Sequence, residues 1–192
     1  MTVIEAEVPQ AELEERVLDW LRQALGLPAG WAGVIQDSAS TATLCAVLSA
    51  RERATDFTVN EQGLRAVGEL VVYCSAEAHS SVEKAVKIAG LGRRAVRAIA
   101  VDEHFAMRPD EFAAAVAADL AAGRTPACLI ATLGTTGASG FDPLAPLGEI
   151  CRRHGIWLHV DAAWAGSALL LAEQRWMIEG IEAVDSFVFN PH

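Results

Sequence analysis

From Gly33 onward, short apolar runs rich in β-branched residues alternate with longer stretches of helical periodicity, and glycine, proline or polar turns divide them. The runs predict strands near 70–75, 96–101, 127–133, 156–160 and 184–189. The stretches between and before them predict helices at about 40–53, 80–90, 109–122, 143–154 and 173–179. Such alternation gives an α/β fold, a mainly parallel sheet sandwiched by helices. Upstream, Leu13, Val17, Leu18, Leu21 and Leu25 recur at spacings of three and four, which predicts an amphipathic helix closed by Gly26 and Pro28. The chain thus divides into an N-terminal helical segment, residues 1–32, and a sheet-forming part, residues 33–192. Residues 53–64 are the most polar interior stretch and are expected to form a loop or insertion.

Charge and composition narrow the classes. The 192 residues carry 15 Lys and Arg against 25 Asp and Glu, a net charge of −10, which argues against nucleic acid as a partner. Much of the excess lies in residues 1–20, where Glu5, Glu7, Glu12, Glu14, Glu15 and Asp19 face Arg16 alone. With 52% hydrophobic residues and a mean hydropathy of +0.26, the chain is rich in core-forming residues. No apolar run reaches the roughly 18–20 residues of a membrane span, so no membrane partner is expected. The first residues lack a basic region followed by an apolar one, so no secretory signal is expected. Cys45, Cys74, Cys128 and Cys151 are widely separated with no Cys-x-x-Cys pair, and reduced thiols in a cytoplasm are the expectation.

Ligands of open parallel sheets bind outside the carboxyl ends of the strands, so polar residues just after apolar runs are the candidates for chemistry. Asp161 follows the run at 156–160 and reads equally as a ligand contact or as a cap or buried ion-pair partner. His159 would share its strand face, but a metal site there lacks an evident third ligand. Ser38, Ala39 and Ser40 open a helical stretch, where free backbone N–H groups and the helix dipole favour a phosphate; an ordinary serine cap is the competing reading. His79 sits between a strand and a helix, with Ser80 or Ser81 set three residues before an acid in capping-box fashion. Leu133-Gly134-Thr135-Thr136-Gly137 is a polar loop at another strand end, or plain turn chemistry. Neither Gly-x-Gly-x-x-Gly nor a Walker loop is present, which leaves a nicotinamide dehydrogenase poorly supported.

Five segments taken together, Gly33-Val34-Ile35-Gln36-Asp37-Ser38-Ala39-Ser40, Ala78-His79-Ser80-Ser81, Thr132-Leu133-Gly134-Thr135-Thr136, His159-Val160-Asp161-Ala162-Ala163-Trp164-Ala165-Gly166-Ser167 and Asn190-Pro191-His192, resemble the pyridoxal-phosphate-dependent group II amino-acid decarboxylases. The resemblance is strongest to the aromatic-L-amino-acid decarboxylases and runs from about Glu12 to the end. It implies part of the large domain of the fold type I transferases over 33–192, with pyridoxal 5'-phosphate as cofactor in a homodimer. The implied reaction turns an L-amino acid, aromatic by the strongest likeness, into its amine and carbon dioxide.

Carried over by position, the resemblance gives the phosphate to Ser38, Ala39 and Ser40, with Asn190 and His192 close by. It stacks His79 on the pyridine ring, sets Thr136 beside the cofactor, packs Ala163 against the ring and puts Asp161 on the ring nitrogen. His79 and Asp161 are the implied catalytic residues. In the family Asn-Pro-His is followed directly by the lysine that forms the Schiff base; the only lysines here, Lys84 and Lys87, match no such position and read as solvated helix residues. The 192-residue chain alone is therefore expected to be inactive. A non-catalytic remnant of a fold type I protein, or a group II decarboxylase for a non-aromatic amino acid, are the alternatives.

Overall fold

The computed structural model describes residues 4–192. Its centre is a sheet of five strands, β1 (Leu70–Ser75), β2 (Val96–Ile99), β3 (Thr125–Thr132), β4 (Trp157–Ala162) and β5 (Ser186–Phe189). They lie in the order β2-β1-β3-β4-β5, and every neighbouring pair is parallel. Six α-helices accompany them: α1 (Ile4–Leu25), α2 (Ala39–Ala54), α3 (Thr58–Gln62), α4 (Ser81–Ile88), α5 (Pro109–Ala121) and α6 (Leu144–His154).

Side-chain alternation along the strands builds two cores. In β1, Val72 and Cys74 pack with Cys128 and Ile130 of β3 under α2 and α4. Val71 and Tyr73 turn the other way and join Leu129, Leu158 and Val160 under α5 and α6. Both faces are covered, so β1 and β3 read as continuous apolar runs rather than as alternating ones. Two crossovers place the helices: α4 carries the chain from β1 outward to β2, while α6 carries it from β3 the opposite way to β4. The chain parts between β1 and β3, which opens a crevice at their carboxyl ends.

All five expected strands are present, and five of the six expected helices. At 173–179 the chain forms a 3-10 turn, Ala172–Ile178, between two others, Gly166–Leu170 and Ile181–Ala183. Gly180, at φ +92°, ends the run where a Cβ would sit 2.5 Å from Ala145 Cα. Residues 53–64, expected as a loop, hold the last turn of α2 and the whole of α3. Asp56 and Phe57 adopt positive φ to reverse the chain, and the Glu52 carboxylate accepts from Asn60 N–H at 3.0 Å. Helix α1 ends at Leu25 before Gly26 (φ +73°), yet only Leu25 of its apolar series is fully buried. Val17, Leu18 and Leu21 border an open groove with Trp31 and Phe187 instead. No helix among the described residues is long and apolar enough to cross a membrane.

Candidate active site

The carboxyl ends of β1, β3 and β4 and the first turn of α2 enclose a cleft of about 280 Å³. Ser38, Ala39, Ser40, His79, Thr136, Asp161, Ala163 and Asn190, eight of the nine site residues expected from the sequence, line it together, drawn from segments up to 152 positions apart. His192 does not line it; it is exposed, two residues past Asn190. Thr132, Ser81, Gly134 and Trp164 line the cleft without having been assigned a role. Lys84 and Lys87 lie exposed on α4, and Lys87 pairs with Glu83 at 3.3 Å.

Each wall has a local cause. Ser38 caps α2, its Oγ accepting from Thr41 N–H at 3.2 Å, so the capping role read from the sequence is real. The N–H groups of Ala39 and Ser40 belong to the first turn, where an α-helix has no internal acceptor for them, and both residues line the cleft. Beyond β1, the start of α4 is capped by an imidazole instead of the expected serine: Ser81 N–H donates to His79 Nδ1 at 3.2 Å, and Ser80 makes no side-chain cap. A backbone N–H can only donate, so Nδ1 is the acceptor and neutral His79 carries its proton on Nε2. The Ser81 hydroxyl lies 3.0 Å from the same Nδ1 and completes the clamp on the ring.

After β3, Thr135 turns inward and its Oγ1 accepts from Gly140 N–H at 2.8 Å, which leaves Thr136 to face the cleft. Gly134, at φ +82°, lies under Trp164; a Cβ there would stand 2.6 Å from Trp164 Cε3 and 2.8 Å from Ala165 Cβ. Asp142 anchors the return of this loop: its two oxygens accept from Met107 N–H and Thr132 N–H, each at 2.7 Å. Burial pushes the Asp142 carboxyl up to about 6 despite those two donors.

Asp161 ends β4, 6% exposed. Its Oδ1 accepts from Ala163 N–H at 3.1 Å, a turn-capping bond, while Oδ2 has no hydrogen bond within the described residues. Burial raises its carboxyl above the ordinary range, opposed by Ala163 N–H and by nearby His79. A half-satisfied buried carboxylate facing a cleft calls for a cationic donor. Two residues back, His159 is fully buried and joined to Ser186 Oγ at 2.8 Å through Nδ1. Ser186 Oγ also accepts from Trp157 Nε1–H at 2.8 Å, so one hydroxyl ties the indole and the imidazole together. Burial presses His159 down to about 4, which keeps it neutral. No cluster of three metal-ligating side chains occurs among the described residues.

An anion cradle at a helix start and a carboxylate awaiting a cation, set at two walls of one cleft with a fixed imidazole beside them, suit a ligand with a phosphate at one end and a protonated aromatic nitrogen at the other. Comparison with known proteins agrees. The model of the pyridoxal-dependent decarboxylase conserved domain matches residues 2–192. Bovine (Bos taurus) aromatic-L-amino-acid decarboxylase is 46% identical over 193 residues, 94% of this chain and 39% of the relative. Mouse (Mus musculus) histidine decarboxylase is 44% identical over 195 residues, 94% of this chain and 29% of the relative. The crystal structure of Catharanthus roseus tryptophan decarboxylase in complex with L-tryptophan superposes with a TM-score of 0.87 at 41% identity, covering 94% of this chain and 40% of that one. The chain thus spans less than half the length of these relatives. The parallel sheet, the cleft at its strand ends and the likeness along nearly every residue place the chain in the pyridoxal-phosphate-dependent group II decarboxylase family, on fold type I.

Proposed function

We propose that the protein carrying this chain decarboxylates an L-amino acid, aromatic by preference, to the amine and carbon dioxide, as a cytoplasmic homodimer that uses pyridoxal phosphate. The observation that carries this reading is Asp161, a buried carboxylate with one free oxygen, in a cleft it shares with the α2 N-terminus and the clamped His79. The residues fit the cofactor, since the free Oδ2 suits a protonated ring nitrogen and the open N–H groups of α2 suit a phosphate. When bound, pyridoxal phosphate supplies a cationic ring that takes up the electron pair of the breaking bond between the substrate's α-carbon and carboxylate.

The chain's own groups do the rest. Asp161 Oδ2 accepts from the ring nitrogen and keeps the proton there, and the cation in turn opposes the burial that raises the Asp161 carboxyl. Ser38, Ala39 and Ser40 hold the phosphate through backbone N–H groups and hydroxyls at the positive end of α2. His79, with Nδ1 occupied by Ser81, presents a fixed ring face for stacking, and Ala163 closes the opposite side. Thr136 and Asn190 complete the lining, and Trp164, 65% exposed, forms part of the rim. By fixing the ring face, His79 and Ala163 would hold the bound cofactor in one orientation towards the substrate. Aromatic specificity and the homodimer rest on the family resemblance; the cytoplasmic assignment is supported by four free thiols.

The test is release of labelled carbon dioxide from carboxyl-labelled L-amino acids by the intact protein supplied with pyridoxal phosphate. Release from tryptophan, phenylalanine or dihydroxyphenylalanine ahead of histidine and glutamate is expected. Preference for histidine or an acidic amino acid overturns the aromatic assignment. Failure to bind the cofactor overturns the whole reading.

A further inference from the structure

Among the described residues, two buried side-chain polar atoms have no hydrogen-bond partner, Thr132 Oγ1 and His159 Nε2. They occupy neighbouring positions around Asp161. His159 precedes Asp161 by two residues on the same strand face, but it borders the groove that also contains Ala42, Cys45 and Ala46, not the cleft. Thr132 lines the cleft itself. It is the register partner of Asp161 across the β3–β4 pair, so the two side chains stand on one face of adjacent strands about 4.8 Å apart. The Thr132 backbone is fixed from below, its N–H held by Asp142 Oδ2 at 2.7 Å.

A buried hydroxyl without a partner destabilises a fold, so its presence at a site points to a partner that arrives with the ligand. Asp161 offers one. Its Oδ1 is committed to Ala163 N–H, and its free Oδ2 has lone pairs enough for a ring N–H and a hydroxyl together. No hydrogen bond joins Thr132 to Asp161 in this structure.

Resting on the reading of the cleft as a pyridoxal phosphate site, we infer that Thr132 is a positioning residue: on loading, its hydroxyl donates to Asp161 Oδ2 and fixes that carboxylate on the ring nitrogen. The hydroxyl does nothing for the unloaded fold and serves only the loaded one. The two states therefore respond to its removal with opposite sign, which a purely structural threonine would not show.

Thr132→Val keeps the shape and removes the donor; Thr132→Ser keeps the donor. Melting temperature of the unloaded intact protein, and pyridoxal phosphate affinity by quenching of protein fluorescence, are measured for both. Thr132→Val should melt at or above the parent temperature yet bind the cofactor about tenfold or more weakly, the loss expected for a hydrogen bond to a charged group. Thr132→Ser should restore affinity. In an Asp161→Asn background, Thr132→Val should cost little further, because its acceptor's charge is gone. Parental affinity in Thr132→Val, an equal loss in the Asp161→Asn background, or a lowered melting temperature of unloaded Thr132→Val would each overturn the inference. Failure of the parent itself to bind pyridoxal phosphate would instead sink the functional reading, a separate result.

Discussion

Lowering the pH tests the buried imidazole directly. His159 is fully buried, hydrogen-bonded to Ser186, and held down to about 4 by burial, against an ordinary value of 6.5. The folded state refuses a proton that the unfolded chain accepts, so stability is intact above pH 6.5 and drains away as the pH falls towards 4. A displacement of 2.5 units at 1.36 kcal/mol per unit amounts to about 3 kcal/mol lost across that window. Asp142 works in the opposite direction. Its folded value of about 6 exceeds the usual 3.8, so the folded state binds that proton more tightly and gains about 3 kcal/mol as the pH falls from 6 towards 3.8. The raw stability curve is therefore flatter than either group alone would make it, and the His159 contribution emerges only as a difference. His159→Asn retains a polar partner for Ser186 but does not titrate. Urea unfolding of parent and variant between pH 7.5 and 4 should show the parent losing about 3 kcal/mol relative to the variant, a midpoint change of about 1–3 M at the slopes usual for small domains. A parent-minus-variant difference that stays constant across the range would refute the assignment of a neutral, proton-refusing His159.

Three further outcomes are expected. Gly134→Ala should lower stability by about 1–3 kcal/mol through its clash with Trp164 and Ala165 at a positive φ, and should weaken cofactor binding by displacing the Trp164 rim; thermal melts and cofactor titration check both. Asp142→Ala strands two buried N–H groups, those of Met107 and Thr132, at about 1–3 kcal/mol each, whereas Asp142→Asn keeps one acceptor and should lose roughly half as much in denaturant unfolding. Ser40→Leu, at an exposed position, should leave melting temperature alone while weakening pyridoxal phosphate more than unphosphorylated pyridoxal, a contrast read by parallel binding titrations.

The strands and the site were legible for the same reason. Buried parallel strands write themselves as apolar runs, and the polar residues at the ends of those runs, Asp161 in the last pleat of β4 and the Thr132–Thr136 segment at the end of β3, fall at the rim where an open sheet binds ligands. What escaped depends on partners distant in sequence. Residues 173–179 have helical composition, but Gly180 must pass against Ala145, a contact the local pattern does not record. The cap of α4 reads as a serine motif, and the imidazole of His79 takes its place because the loop brings Nδ1 onto Ser81 N–H. Nothing in the local sequence around Thr132 marks it as a partner of the acid. Its standing rests on register with Asp161 across two strands, and register is set by the assembled sheet.

The crossovers leaving β1 and β3 turn to opposite sides of the sheet, so a molecule seated between them is gripped by loops that belong to different slabs of the protein. One slab is founded on α2 and α4, the other on α5 and α6, and strand backbone is their principal common structure. A small vitamin derivative lodged there acts as a rivet through both. Anything that binds the folded chain and not the unfolded one shifts the balance towards folding, and a rivet does so for two layers at once. Cofactor supply is then expected to set how much of the chain stays folded.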